Sequence, residues 1–387
     1  MDASVENDRL PRLRSEARIR TYKRNNERLA TSAKRRKISP KTLDDLPDEV
    51  LLKIYAYLSM KNLVSCSGVS KRIRRVCHDE SLWQKINLYG KIVPSEFIEL
   101  VLANGCTYLN LQNAEINGTL SLPDDNYQVK YLNLSGLIAN MENVQELLLS
   151  CSYSIEKLSL SGLELNENMI NAVFKNESLT VLDLSKCSVF TIEYFNQLPK
   201  CDKLTELNLC HIRFIGSSQW DLVSCLVNKL PPNLEKFGYN DLFDGEVKIL
   251  VNRCKKLTEL DMFGAFRLTI ESITYIAEKL PELVKLDVCL STIRIDSMDF
   301  DSLLELKCLS NLKILNIDDL YLDNHLTKSL KSQLRNTTIN TETGSHRLSI
   351  AMPLPLMHPD ASIEIIDGFW DITAKPIDLF NCVNLCN

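Results

Sequence analysis

Thirteen cysteines and five histidines are the side chains of this 387-residue chain that could carry nucleophilic or metal chemistry. A thiolate can attack a thioester, and Cys with His can bind zinc, but both roles need partners at a defined spacing. The chain has no CxxC pair, no GxGxxG, P-loop, HExxH or GxSxG, and Cys382 and Cys386 lack further ligands nearby. The sequence therefore predicts no metal, no cofactor and no catalytic residue. The remaining enzyme alternative is that one of the cysteines has transthiolation activity, although no motif identifies which one.

The apolar residues that would position polar side chains follow one repeated pattern, L-x-x-L-x-L. Eight copies begin at residues 129, 155, 179, 204, 234, 257, 283 and 312, a mean period of about 26 residues, and CTYLNLQN from Cys106 is a degenerate earlier copy. Positions 1, 4 and 6 point inward from a short strand, and positions 3 and 5 alternate outward. Stretches between the strands, such as NENMINAVFKN, have helical spacing. The predicted fold is α/β: a leucine-rich-repeat solenoid with a parallel sheet on its concave face and helices outside.

The outward strand positions are the candidate binding residues. In the C-terminal half, carboxylates outnumber lysines at these positions. A net acidic face favours a basic partner through steering and complementarity; the alternative is a solvated strand face that nothing touches. The predicted substrate-binding residues are Asn208, Lys236, Glu259, Asp261, Lys285, Asp287, Asp318, Asp319 and, in the C-terminal tail, Trp370.

The repeats also give the cysteines a structural role. Cys151, Cys201, Cys254 and Cys308 each lie three or four residues before the next repeat, where a small buried residue ends a helix. Cys187 occupies the ninth repeat position, where the chain turns. We expect these thiols to be buried and unreactive.

Residues 42–88 precede the repeats and have a different pattern. LPDEVLLKIYAYL has helical apolar spacing, and Leu63 and Val69 continue the apolar run beyond it. About 45 residues are too few to bury every apolar face, so this cluster of short helices is expected to need a partner. The other predicted boundaries are 89–128 for a linker with the degenerate repeat, 129–338 for the repeats, and 339–387 for an apolar tail that caps the last repeat or folds back along the solenoid.

The N-terminal arm differs in charge from the rest of the chain. Residues 1–41 hold 13 basic and 5 acidic residues, a net +8, against 32 basic and 45 acidic residues, a net −13, in residues 42–387. The arm is too polar to bury a core and is expected to be disordered. It contains a tetrabasic run that suits a nuclear import signal, with a solvated linker as the alternative. The run consists of Lys34, Arg35, Arg36 and Lys37.

The compartment and the classes of partner follow from the same composition. The N-terminus has no apolar core of a signal peptide, and no stretch approaches the roughly 18 apolar residues of a membrane span. Thirteen scattered cysteines fit a reducing compartment better than a disulfide framework. The acidic body would repel phosphate. We therefore expect a protein of the nucleus and cytoplasm with no membrane contact and no specific nucleic-acid binding.

With the repeats behind it, the segment 42–88 resembles the F-box of F-box leucine-rich-repeat proteins. LDDLPDEVLLKIYAYL, SGVSKRIRR and DESLWQKINLYGK resemble the family's box and linker, and HRLSIAMP and GFWDITAKP resemble its C-terminal segment. The resemblance implies a small all-helical box that docks on the adaptor S-phase kinase-associated protein 1, which links to cullin and RING subunits. Ile73 stands where the resemblance places a tryptophan, which implies a smaller adaptor contact. The implied adaptor-binding residues are Leu46, Pro47, Leu51, Ile54, Tyr55, Leu58, Leu63, Val69 and Trp83.

The resemblance also implies a function. The chain would be the non-catalytic substrate-recognition subunit of an SCF (cullin-RING) E3 ubiquitin ligase, directing cell-cycle regulators such as a cyclin-dependent kinase inhibitor to the proteasome. The alternative is a repeat scaffold acting outside ubiquitin transfer. In the family, a small cyclin-kinase regulatory subunit helps to recognise a phosphorylated substrate. The positions that contact this subunit in the family are occupied in this chain by residues of other types. Either that subunit is engaged differently or substrates bind without it. The positions are His211, Phe243, Leu290 and Thr292.

Overall fold

The computed structural model describes most of the repeat region and the segment before it. The described residues are 42–123, 127–189, 192–215, 219–240, 242–265, 268–288, 303–317 and 324–340. The predicted import run at residues 34–37, Asp318, Asp319, Leu290, Thr292 and the tail with Trp370 lie outside the described residues. The chain divides into two compact units between Ala56 and Tyr57, inside the segment predicted to be one box. Each unit is described by itself.

The first unit has one short turn and one helix among its described residues. A 3-10 turn, Leu43–Asp45, is capped by a carboxylate: Asp45 Oδ2 accepts the backbone N–H of Thr42 at 3.0 Å. Helix α1, Asp48–Tyr55, follows Pro47, and Asp48 in its first turn suits the positive end of the helix dipole. The amphipathic spacing expected from LPDEVLLKIYAYL is present as a helix.

The second unit opens with three short helices. Side-chain oxygens cap each of them: Ser59 before α2, Ser70 before α3 and Asp79 before α4 accept backbone N–H groups. After α4 the chain enters a strand, so the box predicted to be all-helical ends in the first strand of the repeat sheet. The bounds are α2 Met60–Ser67, α3 Lys71–Cys77, α4 Glu80–Trp83 and β1 Lys85–Asn87.

Eleven parallel strands of three residues form the main sheet of the described chain. Each pairs with the strand one repeat away, so equivalent repeat positions lie side by side. The sheet extends one strand before and one strand after the predicted repeats. Its order is β1, then β3 Tyr108–Asn110, β5 Tyr131–Asn133, β6 Lys157–Ser159, β8 Val181–Asp183, β10 Glu206–Asn208, β12 Lys236–Gly238, β13 Glu259–Asp261, β14 Lys285–Asp287, β15 Ile314–Asn316 and β16 Thr338–Asn340.

Helices and two small parallel sheets complete the repeats. The stretches with predicted helical spacing are helices, which confirms the outer layer of the α/β solenoid. Among the described residues, no helix has the length and hydrophobicity needed to span a membrane. The helices are α5 Ser95–Ala103, α6 Met141–Ser150, α7 Glu167–Phe174, α8 Gln219–Val227, α9 Asp244–Arg253, α10 Ile270–Lys279 and α11 Asn324–Gln333, with 3-10 segments at Ile192–Lys200 and Glu305–Cys308. The small sheets contain β2 Ile92–Pro94 with β4 Glu115–Asn117, and β7 Glu164–Leu165 with β9 Ser188–Val189 and β11 Arg213–Phe214.

The core lies between the sheet and the helices. Leucines at repeat positions 1, 4 and 6 are buried as predicted; Leu204, Leu207 and Leu209 of one repeat have no exposed surface. Removing such side chains from water is the main favourable term in folding. Each repeat supplies one slice of a continuous core, so no repeat is stable without its neighbours.

Candidate interaction surfaces

Polar side chains at repeat position 5 end five of the described strands by a local hydrogen bond. Asn110, Asn133, Asp183, Asn208 and Asp261 each accept, through Oδ1, the backbone N–H two residues further on at 2.9–3.0 Å. This is an Asx turn, which lets the chain leave the strand after three residues. The role of position 5 is therefore to shape the turn.

Neighbouring position-5 side chains also bond to one another across the strands. Asn316 Nδ2 donates to Asp287 Oδ2 at 2.6 Å, and Ser159 Oγ donates to Asp183 Oδ2 at 3.0 Å. The role of Asn208, Asp261 and Asp287 in binding a substrate stays a prediction, because these side chains are largely covered in the free chain. Their exposed fractions are 7%, 6% and 1%, so the ladder and the turns enclose them.

Asp261 is the most perturbed carboxyl of this ladder. Burial raises the pKa of Asp261 to about 7, and the Asp287 carboxylate adds to the rise. The backbone N–H of Phe263, the charge of Lys285 and the Cys210 thiol oppose it. This carboxyl therefore holds its proton to a higher pH than an exposed aspartate does.

From β10 to β14, the side chains in the row at repeat position 3 are only half-buried and their charges alternate. Lys236 Nζ lies 3.5 Å from Glu206 Oε1 and 3.3 Å from Glu259 Oε1, on the two neighbouring strands. Lys285 is opposite Glu259 in the next strand. Among the described residues at position 3 of these strands, acidic and basic side chains therefore alternate. The net acidic face predicted from the sequence also included Asp318 and Asp319, which lie outside the described residues, and it stays a prediction.

The N-terminal part of the same row has a different composition. Strand register places Lys85, Tyr108, Tyr131 and Lys157 side by side. The two tyrosine rings are 5.8 Å apart, and Lys157 Nζ lies 5.7 Å from the centre of the Tyr131 ring. Sequence reasoning missed this group. The 23-residue step from Tyr108 to Tyr131 in matching repeat positions was the available signal.

In the first unit, the predicted adaptor residues divide by burial. Pro47 and Ile54 are exposed and Leu46 is half-buried, whereas Leu51 and Tyr55 are buried. The adaptor contact of all five residues stays a prediction. Sequence reasoning left out two further exposed apolar side chains of this unit, Leu43 and Val50. Val50 is four residues before Ile54, a spacing that brings the two onto one face of α1.

The second unit shows the same division. Val69 is 70% exposed and Leu58 is half-buried, whereas Leu63 and Trp83 are buried. Ile73, which stands where the resemblance places a larger tryptophan, is also buried. In the free chain its side chain therefore contributes to packing and is not an exposed contact surface. Tyr57, which was not predicted, is 87% exposed.

Trp83 joins the short helices to the first repeat. Its indole Nε1–H donates to the carbonyl oxygen of Cys77 at 2.6 Å, and its ring stacks on His78 and packs against Phe97 of α5. His78 in turn lies with Nδ1 2.9 Å from Asn104 Oδ1. The helices of the second unit are therefore held directly on the start of the solenoid.

The described cysteines are placed as structural residues, with one exception. Four of the five cysteines expected at repeat and helix ends are buried, but Cys308 is exposed, and Leu309 takes the buried place beside it. The four are Cys151, Cys187, Cys201 and Cys254. The described residues contain no group of three or more His, Cys, Asp or Glu side chains able to hold a metal ion. Burial raises the pKa to about 12 for the thiols of Cys106, Cys151, Cys187 and Cys254.

The positions aligned with the accessory-subunit contacts are only partly described. His211 is exposed in a left-handed backbone conformation with φ of 60°, and its ring packs edge-on to Phe263. Phe243 is half-buried before α9.

Two protein-family models match the chain in consecutive blocks. A model described as F-box-like matches residues 43–89, and a model of the SKP2 LRR domain matches residues 96–372. Among curated proteins, F-box protein dre-1 of Caenorhabditis elegans is 35% identical over 54 residues, which is 13% of this chain and 6% of that protein.

Three solved repeat structures are similar at low identity. Internalin C2 of Listeria monocytogenes is 19% identical and covers 67% of this chain and 92% of its own, with a TM-score of 0.36. A leucine-rich-repeat protein of Leptospira interrogans is 17% identical over 64% and 75% of the two chains, with a TM-score of 0.37. Internalin F of Listeria monocytogenes is 15% identical over 77% and 92%, with a TM-score of 0.40.

Proposed function

The chain belongs to the F-box proteins that carry the SKP2 leucine-rich-repeat domain, and we propose that it is the substrate-recognition subunit of an SCF (cullin-RING) E3 ubiquitin ligase. The observation that carries the proposal is the order of the two blocks: a box at residues 43–89 directly before repeats from residue 96. The box would bind the adaptor S-phase kinase-associated protein 1, and through it the cullin and RING subunits. The repeats would hold the protein substrate.

Such a subunit acts by proximity. It has no bond to make or break itself; it holds a substrate lysine near the ubiquitin thioester, and the gain comes from the raised effective concentration. Positioning requires that the repeats do not swing freely from the adaptor-binding helices. The Trp83 packing and hydrogen bond, which connect the helices of the second unit to α5, supply part of that rigidity.

Adaptor binding is the direct test. The full-length chain should co-purify with the adaptor, and the double variant Leu46→Ala/Pro47→Ala and the variant Val69→Asp should each lower the recovered adaptor by about fivefold or more, since losing a contact worth above 1 kcal/mol has that effect. Ile215→Asp, which changes an exposed apolar residue of the repeats, is the matched control. Equal recovery from all four proteins would contradict the proposal.

Cell-cycle regulators, such as a phosphorylated cyclin-dependent kinase inhibitor, are the substrates that we propose on the resemblance to the family. Direct binding by the repeats, without the cyclin-kinase regulatory subunit, is favoured by the non-matching types of His211 and Phe243. Affinity purification of the chain with and without residues 42–88 separates ligase components, which should be lost with the box, from substrates, which should be retained.

We also propose that the basic arm directs import into the nucleus. An acidic, aromatic-lined import groove would take up the four adjacent cations. Replacing Lys34, Arg35, Arg36 and Lys37 by alanine in a fluorescent fusion should move the protein from the nucleus to the cytoplasm. Replacing Arg12, Arg14, Arg18 and Arg20 removes the same charge outside the run and should leave the distribution unchanged. An unchanged distribution for the first variant would refute import by this run.

A further inference from the structure

The first four strands of the main sheet present a surface without carboxylates on a chain whose body is acidic. The side chains at repeat positions 3, 5 and 7 of these strands include two lysines and no Asp or Glu, a local +2. The body as a whole, residues 42–387, has 32 basic and 45 acidic residues, a net −13. Nothing in the repeat fold demands this composition, because the hydrogen bonds at position 5 can be formed equally by Asp, as at Asp183 and Asp261.

The surface has two tyrosines between two lysines across four strands, and a third tyrosine just after the first strand. We name Lys85, Tyr89, Tyr108, Tyr131 and Lys157 the tyrosine–lysine patch. Lys85 is exposed, Tyr89 is 54% exposed, and Tyr131 and Lys157 are half-buried. Tyr108 is buried at 6% exposure between its neighbours, where it supports the Tyr131 ring at 5.8 Å. Tyrosine offers a large contact area at a low entropic cost, which is why it is enriched in interfaces.

Neither lysine of the patch forms an ion pair with another described residue. The carboxylate of Glu156, which precedes strand β6, is paired with Lys130 at 2.9 Å. Lys157 instead lies over the Tyr131 ring. The C-terminal half of the same row is different, because Lys236 is bound by Glu206 and Glu259. The positive charge of the patch is therefore available to a partner, whereas that of Lys236 is already neutralised.

The spacing of the two lysines sets the spacing of the charges that would complement them. Lys85 and Lys157 are three strand intervals apart, since the register runs through Tyr108 and Tyr131. At about 4.8 Å per interval they are separated by about 14 Å. An extended peptide advances about 3.4 Å per residue, so two side chains four residues apart span the same distance.

We propose that the tyrosine–lysine patch binds an extended, acidic protein segment in which two carboxylates four residues apart flank apolar residues. The carboxylates would pair with Lys85 and Lys157, and the residues between them would lie on Tyr131 and against Tyr89. This inference rests on the proposed receptor function and places one partner contact at the N-terminal end of the repeats, away from the C-terminal face predicted from sequence.

The test measures binding of a fluorescein-labelled dodecapeptide, with two glutamates flanking three leucine residues, to the purified full-length chain by fluorescence anisotropy. A peptide with glutamine in both places is the control. At about 0.1 M salt, where exposed charge pairs are only partly screened, the glutamate peptide should bind about tenfold tighter. Equal affinity of the two peptides would overturn the proposal.

Variants locate the site. Lys85→Glu and Lys157→Glu should each weaken the glutamate peptide by about tenfold, and Tyr131→Ala by about fivefold, the effect of losing an interface contact of more than 1 kcal/mol. Lys175→Glu makes the same charge change at an exposed position between α7 and β8 and should leave the affinity unchanged. A loss with Lys175→Glu as large as that with the patch variants would overturn the proposal, because the effect would then follow net charge.

Other occupants are distinguished by photo-crosslinking from Tyr89→benzoylphenylalanine in the full-length chain. A crosslink to the added peptide that is competed by unlabelled peptide supports the proposal. A crosslink to residues 341–387 of the same chain, or to a second copy, that the peptide does not displace would overturn it. Adaptor recovery from the same variants is expected to be normal, so a failure of this proposal is separate from a failure of the receptor function.

Discussion

The buried carboxyl of Asp261 is expected to make the stability of the solenoid depend on pH. Asp261 is 6% exposed, its Oδ1 accepts the N–H of Phe263 at 2.9 Å, and burial together with Asp287 raises its pKa to about 7 from an ordinary 3.8. The folded state therefore binds a proton over a pH range in which the unfolded chain has released it. Stability from this group is fully present below about pH 4 and is lost as the pH rises through 7.

Asp261→Asn should remove the loss of stability that the wild type shows as the pH rises. The amide oxygen can accept from Phe263 N–H as Asn208 Oδ1 accepts from Cys210 N–H in the repeat two strands away, and the amide carries no charge. At pH 8 the variant should be more stable than the wild type, by about 1 to 4 kcal/mol, because each unit of pKa shift is about 1.4 kcal/mol. Urea denaturation at pH 5 and pH 8 measures the difference.

The control for Asp261→Asn is Asp202→Asn, a change of the same type at an exposed position. Its free energy of unfolding should differ from the wild type by the same small amount at both pH values. If the difference between wild type and Asp261→Asn were constant from pH 5 to pH 8, the carboxyl would not be titrating in this range.

At the scale of elements, the junction between α4 and β1 joins the short helices of the second unit to the repeats. Trp83 ends α4, and its indole N–H donates to Cys77 O at 2.6 Å across the turn between α3 and α4. Two residues later the chain is already in β1, paired with β3. The same packed side chain therefore stabilises the helices and the start of the sheet. A substitution at Trp83 should lower the stability of both.

Trp83→Phe tests this junction. Phenylalanine keeps an aromatic ring near His78 and Phe97 but leaves the Cys77 carbonyl without its donor, which costs about 1–3 kcal/mol in a buried site. The midpoint of urea denaturation should fall with little change in the slope. Tyr153→Phe, which removes a polar atom from a side chain that is 64% exposed, is the control and should have little effect. A Trp83→Phe midpoint equal to that of the control would show that the bond adds nothing to the junction.

At the scale of the molecule, the sequence predicted the repeated framework better than its surface. The leucine period located the strands from Tyr131 onward because burial at positions 1, 4 and 6 is a direct consequence of residue type. Alternation did not predict the burial of Asp261 and Asp287, because it does not account for a carboxylate that bonds its own strand end, as Asp261 does, or the side chain of the next strand, as Asp287 does. Tyr108 and Tyr131 are 23 residues apart in the sequence and become neighbours only through the register of β3 and β5. The leucine period predicts this register only once the two repeats are aligned with each other.

In the solenoid each repeat packs only against the repeats on either side of it. A destabilising substitution in a central repeat should therefore affect the adjacent repeats most. Leu207 has no exposed surface in β10, between β8 and β12, so Leu207→Ala should cost about 2–5 kcal/mol. Because each repeat contacts only adjacent ones, amide hydrogen exchange should accelerate first in β8, β10 and β12 and least in β1 and β16. Leu315→Ala, an equally buried change in β15, is the matched control and should accelerate exchange in β14 to β16 instead. Uniform acceleration along the sheet by both variants would mean that the repeats unfold as one cooperative unit, since a defect confined to nearest neighbours cannot reach both ends.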